Sequence, residues 1–296
     1  MRDRLFALLQ WLLPHHLLSR LMHRLARSEK PWIRDPMIRF VLRHYDVNLE
    51  EAEHPDPASY PHFNAFFTRR LRPGARPIDP DPTHLISPVD GTISQIGQLQ
   101  NNRLLQAKGR TFTLEALLGG ADLATPFRNG AFATLYLAPR DYHRIHMPHA
   151  GCLTAERIIP GRLFSVGPAT VARIDGLFAR NERVVWLFDT PFGPLALVPV
   201  GALFVGSIES VWAGELTPPH ARRIRHRDHP GDLCFEKGEE IGRFNYGSTV
   251  ILLLPRGAAT WRSELSPGSR VQMGEWLATL APPPAPRRCD RDLASR

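Results

Sequence analysis

A serine that follows a glycine directly ahead of an apolar run has the groups needed to cleave its own chain. Ser248 follows Gly247 and precedes Thr249 and the run Val-Ile-Leu-Leu-Leu. Because Gly247 has no Cβ, a nucleophile can approach its carbonyl carbon closely, and the Ser248 hydroxyl is the nearest candidate. If a base removes the hydroxyl proton, the serine can attack the preceding peptide bond. The alternative is an ordinary tight turn that leads into a strand.

An aspartate and two histidines are the candidate partners of this serine. Asp90 lies in the segment Ser-Pro-Val-Asp-Gly, and His143 and His146 lie in the titratable cluster at residues 141–149. A carboxylate, an imidazole and a hydroxyl are the groups of a nucleophilic triad, and histidine titrates close to neutral pH. Two other interpretations stay open, because Asp-Gly is a common turn dipeptide and the histidine cluster could be a solvated loop. Zinc would need a third protein ligand that nothing nearby nominates, so we expect no metal site.

The elements that must position these groups are predicted to be short strands. The 22 glycines and 28 prolines among 296 residues favour many turns over a helical bundle. Residues 87–93 and 237–244 are each predicted to form a hairpin of a compact core. We therefore predict an α+β chain whose β-rich core is barrel-sandwich-like and follows amino-terminal amphipathic helices. The apolar runs predicted to be strands are residues 131–137, 183–188, 194–200, 203–212 and 248–254.

The amino-terminal segment combines leucines at helical spacing with basic residues. Half of the formal net charge of +8 lies in the first 30 residues, where six Lys and Arg outnumber two acidic residues. The uncharged stretch at residues 5–19 contains Pro14 and is shorter than the roughly 20 residues of a spanning helix. Leucines and Trp11 beside basic side chains are typical of a helix that lies in a membrane interface. The alternatives are a helix packed on its own domain and, from charge alone, a nucleic-acid binder.

The composition divides the chain into three regions. We predict a helical membrane-associating region at residues 1–60, a β-rich catalytic domain at 61–280 and a disordered proline- and arginine-rich tail at 281–296. Residues 220–232, with three histidines among four arginines, are predicted to be an exposed basic loop.

The cysteines predict a reducing compartment. Cys152, Cys234 and Cys289 lie far apart and form no C-x-x-C pair. We therefore expect neither a disulfide framework nor a zinc knuckle.

Several blocks of sequence, taken in order, carry a family resemblance. They are residues 63–69, 74–78, 87–91, 142–148, 178–183, 200–202, 206–208 and 237–249. In this order the blocks resemble the bacterial phosphatidylserine decarboxylases of the membrane-associated type, and the likeness runs from about residue 10 to residue 280. One departure is Tyr246, where that family usually has leucine. Because this position supplies neither the nucleophile nor the attacked carbonyl, we expect processing to survive.

The resemblance implies a self-cleaving enzyme. His146 would take the proton of Ser248 while Asp90 holds the imidazole, and the chain would be cut between Gly247 and Ser248. Ser248 would become a covalent pyruvoyl group, which forms a Schiff base with the amine of phosphatidylserine and acts as the electron sink for loss of CO2. His143 would be the acid that reprotonates the carbon, and phosphatidylethanolamine would be released.

The resemblance also implies partners and a location. The two cleavage products, residues 1–247 and 248–296, are expected to stay together as a heterodimer and to assemble further into a homo-oligomer. The enzyme is expected on the cytoplasmic side of the cell membrane, as a peripheral protein on an anionic surface. We expect no nucleic-acid partner, because the basic residues lie beside leucine and tryptophan.

Two rival classes make different demands on the sequence. A non-catalytic lipoyl-like module would need a modifiable lysine at a hairpin tip, and none stands out. A zinc peptidase built on duplicated hairpins would need a His-x-His pair late in the chain, and the sequence has none there.

Overall fold

Helices lie toward the amino-terminal end and strands through the rest of the chain in the computed structural model, which describes residues 10–204, 207–217, 223–245 and 249–282. Helix makes up 22% and strand 35% of the structure. This confirms the predicted α+β class with amino-terminal helices. The leucines before residue 10 and most of the predicted tail lie outside the described residues.

Three amino-terminal helices pack together: α1 (His15–Ala26), α2 (Pro31–His44) and α3 (Phe63–Phe67). Pro14 precedes α1 and Pro31 opens α2, positions at which a proline removes no helical hydrogen bond. A 3₁₀ turn, Pro57–Ser59, leads towards α3. The three helices share one apolar cluster, which consists of Ala26, Ile38, Val41, Tyr60, Phe63, Phe66 and Phe67.

The leucines of α1 face outward. His15 and Ser19 are buried against the protein, whereas the side chains of Leu17 and Leu21 are 61% and 55% exposed. The Nε2 atom of His16 is 3.0 Å from the Gly161 carbonyl oxygen and bonds this helix to the body of the protein. α1 therefore packs through a face that carries His15, Ser19 and Ala26 and leaves Leu17 and Leu21 exposed. No helix in the described ranges combines the length and apolarity needed to span a bilayer.

The strands form four antiparallel sheets. The strands are β1 His84–Ile86, β2 Gly91–Gln98, β3 Arg103–Ala107, β4 Arg110–Thr113, β5 Ala131–Tyr136, β6 Arg144–His146, β7 Gly151–Ile159, β8 Arg183–Thr190, β9 Gly193–Val200, β10 Ile208–Ser210, β11 Gly214–Glu215, β12 Arg225–Asp228, β13 Cys234–Phe235, β14 Glu240–Phe244, β15 Thr249–Leu254, β16 Ala259–Trp261, β17 Arg270–Val271 and β18 Trp276–Leu280. The largest sheet has the order β12-β7-β8-β9-β15-β5-β2-β17, with β13 also paired to β7; the others are β11-β10-β14-β6, β1-β18-β16 and β3-β4. None of these sheets closes into a barrel over the residues that the structure describes.

The apolar run after the candidate serine forms the central strand β15, which is buried on both faces. Val250 and Leu252 face a core between the large sheet and the smaller sheets. Ile251 and Leu253 face a second core, covered by short helices. Alternate residues of a strand point to opposite faces, so a strand between two cores needs apolar residues throughout. The helices over the second core are α4 Leu114–Leu118, α5 Ala121–Ala124, a 3₁₀ turn Thr125–Phe127, α6 Pro168–Val171 and α7 Leu177–Arg180.

Four local predictions are wrong. Residues 87–93 and 237–244 do not fold back on themselves, because β2 pairs with β5 and β14 pairs with β6 and β10. The strand predicted at 203–212 is reduced to β10 within the described part of that segment. Residues 225–228 form the exposed edge strand β12 on β7 instead of a loop. For the two predicted hairpins and the predicted loop, pairing with a distant strand outweighs the local turn signals. In the run at 203–212, Phe204 has a positive φ of 65°, which is incompatible with a strand.

The expectation of unpaired cysteines is also wrong, because Cys152 and Cys234 form a disulfide. Cys152 lies in β7 and Cys234 in β13, where the two residues are direct cross-strand partners. They are 82 residues apart in the chain. Antiparallel pairing brings the Cβ atoms of opposite residues close together, and no spacing rule within one sequence reveals that register.

Candidate active site

The two candidate histidines flank a short strand that lies beside the chain leading to the predicted cleavage site. His143 precedes β6 and His146 ends it, and both side chains are buried. The amide of Phe244 donates a hydrogen bond to the carbonyl of His143 (3.0 Å). Because Phe244 is the last residue of β14, this bond holds the histidines close to the chain that approaches the cleavage site.

The predicted cleavage pair, Gly247 and Ser248, lies outside the described residues, as does Tyr246, but the chain on either side is bonded. Before it, the side-chain amide of Asn64 donates to Oδ1 of Asn245 (3.1 Å), which ties the segment to α3. After it, Thr249 begins β15 between β9 and β5. The positions of both flanking residues are therefore set by the fold.

His146 is held as a neutral base. Its Nδ1 lies 2.8 Å from the carbonyl oxygen of Gly238, and its Nε2 lies 3.0 Å from the hydroxyl of Tyr142. A carbonyl can only accept, so Nδ1 carries the proton and Nε2 presents a lone pair to the Tyr142 hydroxyl. Burial lowers the pKa of His146, although the bond to Gly238 opposes this shift. The ring is therefore unprotonated near neutral pH, as a general base requires.

Asp90 does not contact His146. Its carboxylate accepts bidentate hydrogen bonds from the Arg76 guanidinium (2.6 and 2.9 Å) and a hydrogen bond from the backbone amide of Met273 (2.9 Å). Among the described residues, no hydrogen bond or ion pair joins Asp90 to His146, and the Gly238 carbonyl holds Nδ1 in its place. The physical reason is that bidentate, charge-assisted hydrogen bonds from a guanidinium bind a buried carboxylate more strongly than a hydrogen bond from a neutral imidazole does.

His143 is completely buried and has one nitrogen without a partner. Its Nδ1 donates to the carbonyl of Asp141 (2.7 Å), and its ring packs on Phe67 with centroids 4.2 Å apart. Its Nε2 has no hydrogen-bond partner in the described part of the chain. Burial, helped by the charge of Arg69, lowers the pKa of His143 to about 3. The ring is therefore a neutral acceptor at Nε2, and it can serve as the predicted acid only after it has taken up a proton.

Three residues of this site were not singled out from the sequence: Tyr142, Gly238 and Arg76. Each lies inside a block that carries the family resemblance, which is the signal that could have found it. Their roles depend on bonds to residues elsewhere in the chain, such as the bond of Gly238 to His146, 92 positions away.

Glu182 is a further buried acid at the same end of the large sheet. Its carbonyl accepts a bond from the amide of Gly201 (2.8 Å), at the place where β8 begins and β9 ends. Val200, the last residue of β9, pairs with Thr249, so Glu182 lies two strands from the start of β15. Burial raises the pKa of Glu182 to about 7, with the Thr217 hydroxyl opposing the shift.

Comparison with known proteins assigns the chain to a family. A family profile described as phosphatidylserine decarboxylase matches residues 63–279, and a second, described as PSD, matches residues 5–46. The phosphatidylserine decarboxylase proenzyme of Nitrosococcus oceani is 55% identical over 283 residues, which are 95% of this chain and 92% of that protein.

Two further relatives carry the same name. The phosphatidylserine decarboxylase proenzyme of Halorhodospira halophila is 54% identical over 94% of this chain and 94% of its own length. That of Marinobacter nauticus is 52% identical over 95% of this chain and 99% of its own length. The matched profile and relatives cover both flanks of the predicted cleavage segment and both buried histidines, and the chain belongs to the phosphatidylserine decarboxylase family of enzymes.

Proposed function

We propose that this protein cleaves itself between Gly247 and Ser248 and then converts phosphatidylserine to phosphatidylethanolamine and CO2. The observation that carries the proposal is the pair of buried, neutral histidines beside the cleavage segment. Nδ1 of each is fixed on a backbone carbonyl, so Nε2 of each is free of a proton. The names of the relatives support phosphatidylserine as the substrate.

The self-cleavage step uses His146 as its base. The Ser248 hydroxyl would replace the Tyr142 hydroxyl at Nε2 of His146, give up its proton and attack the Gly247 carbonyl carbon. The peptide bond becomes an ester, and elimination then expels the Gly247 carboxylate. The dehydroalanine left at position 248 tautomerises to an imine, which water hydrolyses to a pyruvoyl group and ammonia. Asp90 would aid the base through its negative charge, since charge from Asp90 raises the pKa of His146 slightly against the larger effect of burial.

The decarboxylation step uses His143. The pyruvoyl group, when present, supplies the ketone that takes the substrate amine into a Schiff base and withdraws electrons from the carbon that loses CO2. The substrate amine must lose a proton before it can react, and Nε2 of His143, which has no partner among the described residues, would take that proton. Because burial and the charge of Arg69 lower the pKa of His143 to about 3, the ring would hold this proton only while a negative charge of the substrate lies beside it. The same proton can return to the carbon after CO2 departs. His143 would then be base first and acid second.

The exposed apolar surface of α1 and α2 supports a peripheral location on an anionic membrane. Leu17 and Leu21 of α1 and Trp32 of α2 project outward, the last 72% exposed. Arg20 and Arg24 are exposed on the same helix as the leucines. Apolar side chains that enter the interface beside basic residues that meet anionic headgroups are the pattern of a peripheral helix. The cytoplasmic side of the cell membrane is the proposed location.

The division of the chain follows from this proposal. Residues 1–60 would meet the membrane, residues 61–280 would hold the catalytic domain, and residues 281–296 would form a disordered tail. After cleavage, residues 1–247 and 248–296 would form a heterodimer, which we propose assembles further into a homo-oligomer.

Intact-mass analysis of the purified protein tests the proposal. We expect two chains divided at 247/248, the smaller without a free amino terminus, and release of CO2 from phosphatidylserine. S248A should stay uncut and inactive. A wild-type chain that remains full-length and still decarboxylates phosphatidylserine would refute the pyruvoyl route, as would stoichiometric zinc in active protein.

A further inference from the structure

Arg69 is a buried cation, and two of its donor nitrogens have no hydrogen-bond partner among the described residues. Its side chain is 4% exposed, and its Nη2 donates to the carbonyl of Arg140 (3.0 Å). Its Nε and Nη1 have no hydrogen-bond partner in the ranges that the structure describes. The carboxylates of Asp90 and Glu51 act on it by charge, but both are hydrogen-bonded to Arg76. Buried donors without partners carry a free-energy cost, which a bound anion would remove.

Arg69 and the second catalytic histidine are anchored on the same turn. Arg69 donates to the carbonyl of Arg140, and Nδ1 of His143 donates to the next carbonyl, that of Asp141. Their aromatic neighbours, Phe66 and Phe67, are also consecutive. The turn therefore holds together two free donors on Arg69 and one free acceptor, Nε2 of His143, all of them buried.

We propose that Arg69 binds the phosphodiester of the phospholipid headgroup, while His143 faces the headgroup amine. A ligand that satisfies both side chains must carry an anionic oxygen and, near it, an N–H donor, and an aminoalkyl phosphate has both. The planar guanidinium matches the two oxygens of a phosphodiester. This inference rests on the proposed function and adds the residue that holds the substrate.

The headgroup has two anions, and the reaction distinguishes them. The carboxylate loses its charge as CO2 forms, so a guanidinium bound to it would stabilise the ground state more than the transition state and slow the reaction. The phosphodiester keeps its charge throughout. An arginine bound there contributes equally to ground state and transition state, and its loss raises KM with little change in kcat.

The test compares R69Q, R69K and the control R70Q. Arg70 is the next residue and is exposed, so R70Q removes the same charge without touching the buried donors. CO2 release is measured with phosphatidylserine in mixed micelles and with O-palmitoylserine, which has the amine and the carboxylate but no phosphate. Self-cleavage into two chains reports that each variant is folded.

We expect R69Q to raise KM for phosphatidylserine by about 10- to 100-fold, the range for loss of hydrogen bonds to a charged group. R69K should fall between R69Q and wild type, R70Q should match wild type, and kcat/KM for O-palmitoylserine should be the same in all four proteins. An unchanged KM in R69Q would overturn the proposal. If R69Q lost kcat/KM equally with both substrates, the assignment of Arg69 to the phosphate would be overturned.

A binding measurement on wild-type enzyme covers the case in which R69Q does not fold. Glycerophosphoethanolamine should inhibit competitively at a concentration at least about tenfold lower than ethanolamine, which lacks the phosphate. Equal inhibition by the two compounds would overturn the proposal that the enzyme binds the headgroup phosphate. If wild-type enzyme released no CO2 from phosphatidylserine, the proposed function itself would fail, and this result is distinct from either outcome above.

Discussion

The chemistry at the residue scale depends on which ring nitrogen carries the proton. His143 and His146 both donate from Nδ1 to backbone carbonyls, of Asp141 and Gly238, so each presents an unprotonated Nε2. Their surroundings then separate their roles. Nε2 of His146 meets a hydroxyl, whereas Nε2 of His143 has no partner among the described residues. Two histidines three positions apart can therefore act in different steps.

Replacing His143 separates the two reactions. H143A should still cut itself, because we propose His146 as the base for that step, and should decarboxylate about 10²- to 10⁴-fold more slowly, the usual loss for a general acid–base group. Intact mass and CO2 release measure the two effects. H149A is the control, since both nitrogens of His149 contact backbone carbonyls outside the site. An uncut H143A chain would show that the histidines are assigned to the wrong steps.

Glu182 makes stability depend on pH. Burial raises its pKa from 4.5 to about 7, so the folded protein favours the protonated form. Its contribution is fully present below pH 4.5 and is lost as the pH rises through about 7, a loss of about 3 kcal/mol in the free energy of unfolding. E182Q keeps a neutral side chain at every pH and should lack this loss.

Chemical denaturation at pH 5 and pH 8 in the uncut S248A background tests Glu182. The stability difference between S248A and S248A/E182Q should change by about 2.5 kcal/mol in favour of E182Q between these two pH values, because a small part of the loss has already occurred at pH 5. A constant difference would mean that Glu182 is ionised throughout.

At the scale of elements, α1 is an amphipathic helix turned away from its own protein. Its buried side chains include His15 and Ser19, and its exposed ones include Leu17 and Leu21. Hydrophobic spacing predicts the helix but not which side meets the protein. Here the packed face carries His15, Ser19 and Ala26, and a hydrogen bond between His16 and the Gly161 carbonyl adds to this contact, so that Leu17 and Leu21 stay exposed.

Removing the outward leucines should weaken membrane binding. If each buried leucine contributes about 1.5 kcal/mol, L17S/L21S should bind anionic vesicles about 100-fold more weakly than wild type. Vesicle co-sedimentation measures this. L105S/I224S is the control, because Leu105 and Ile224 are exposed apolar residues outside the amino-terminal helices. An equal loss of vesicle binding in the two double variants would argue against a specific role for α1.

At the scale of the whole molecule, cleavage at 247/248 would break the chain and leave the two products packed together in the same fold. The smaller product begins just before β15, which lies between β9 and β5 of the larger product and is completely buried. Its later strands β17 and β18 pair with β2 and β1. The two products would therefore share the large sheet and the three-stranded sheet β1-β18-β16.

The cleaved enzyme should consequently behave as one particle. The 49-residue product, 248–296, should co-elute with the larger chain at a 1:1 ratio in gel filtration without denaturant. It should separate only under conditions that unfold the sheet, because separation exposes a six-residue strand buried on both faces. Release of the small chain in native buffer would contradict this shared-sheet arrangement.

The sequence by itself determined the residue types of the site, the central strand, the amino-terminal helix beyond Pro14 and the family resemblance. These depend on neighbours along the chain, such as a glycine before a serine or apolar residues in succession. Tertiary structure decided which groups meet. Arg76 instead of His146 binds Asp90, Gly238 binds His146 from 92 positions away, and Cys152 meets Cys234. These contacts depend on strand register and on competition between buried charges, both of which arise only when distant segments pack together.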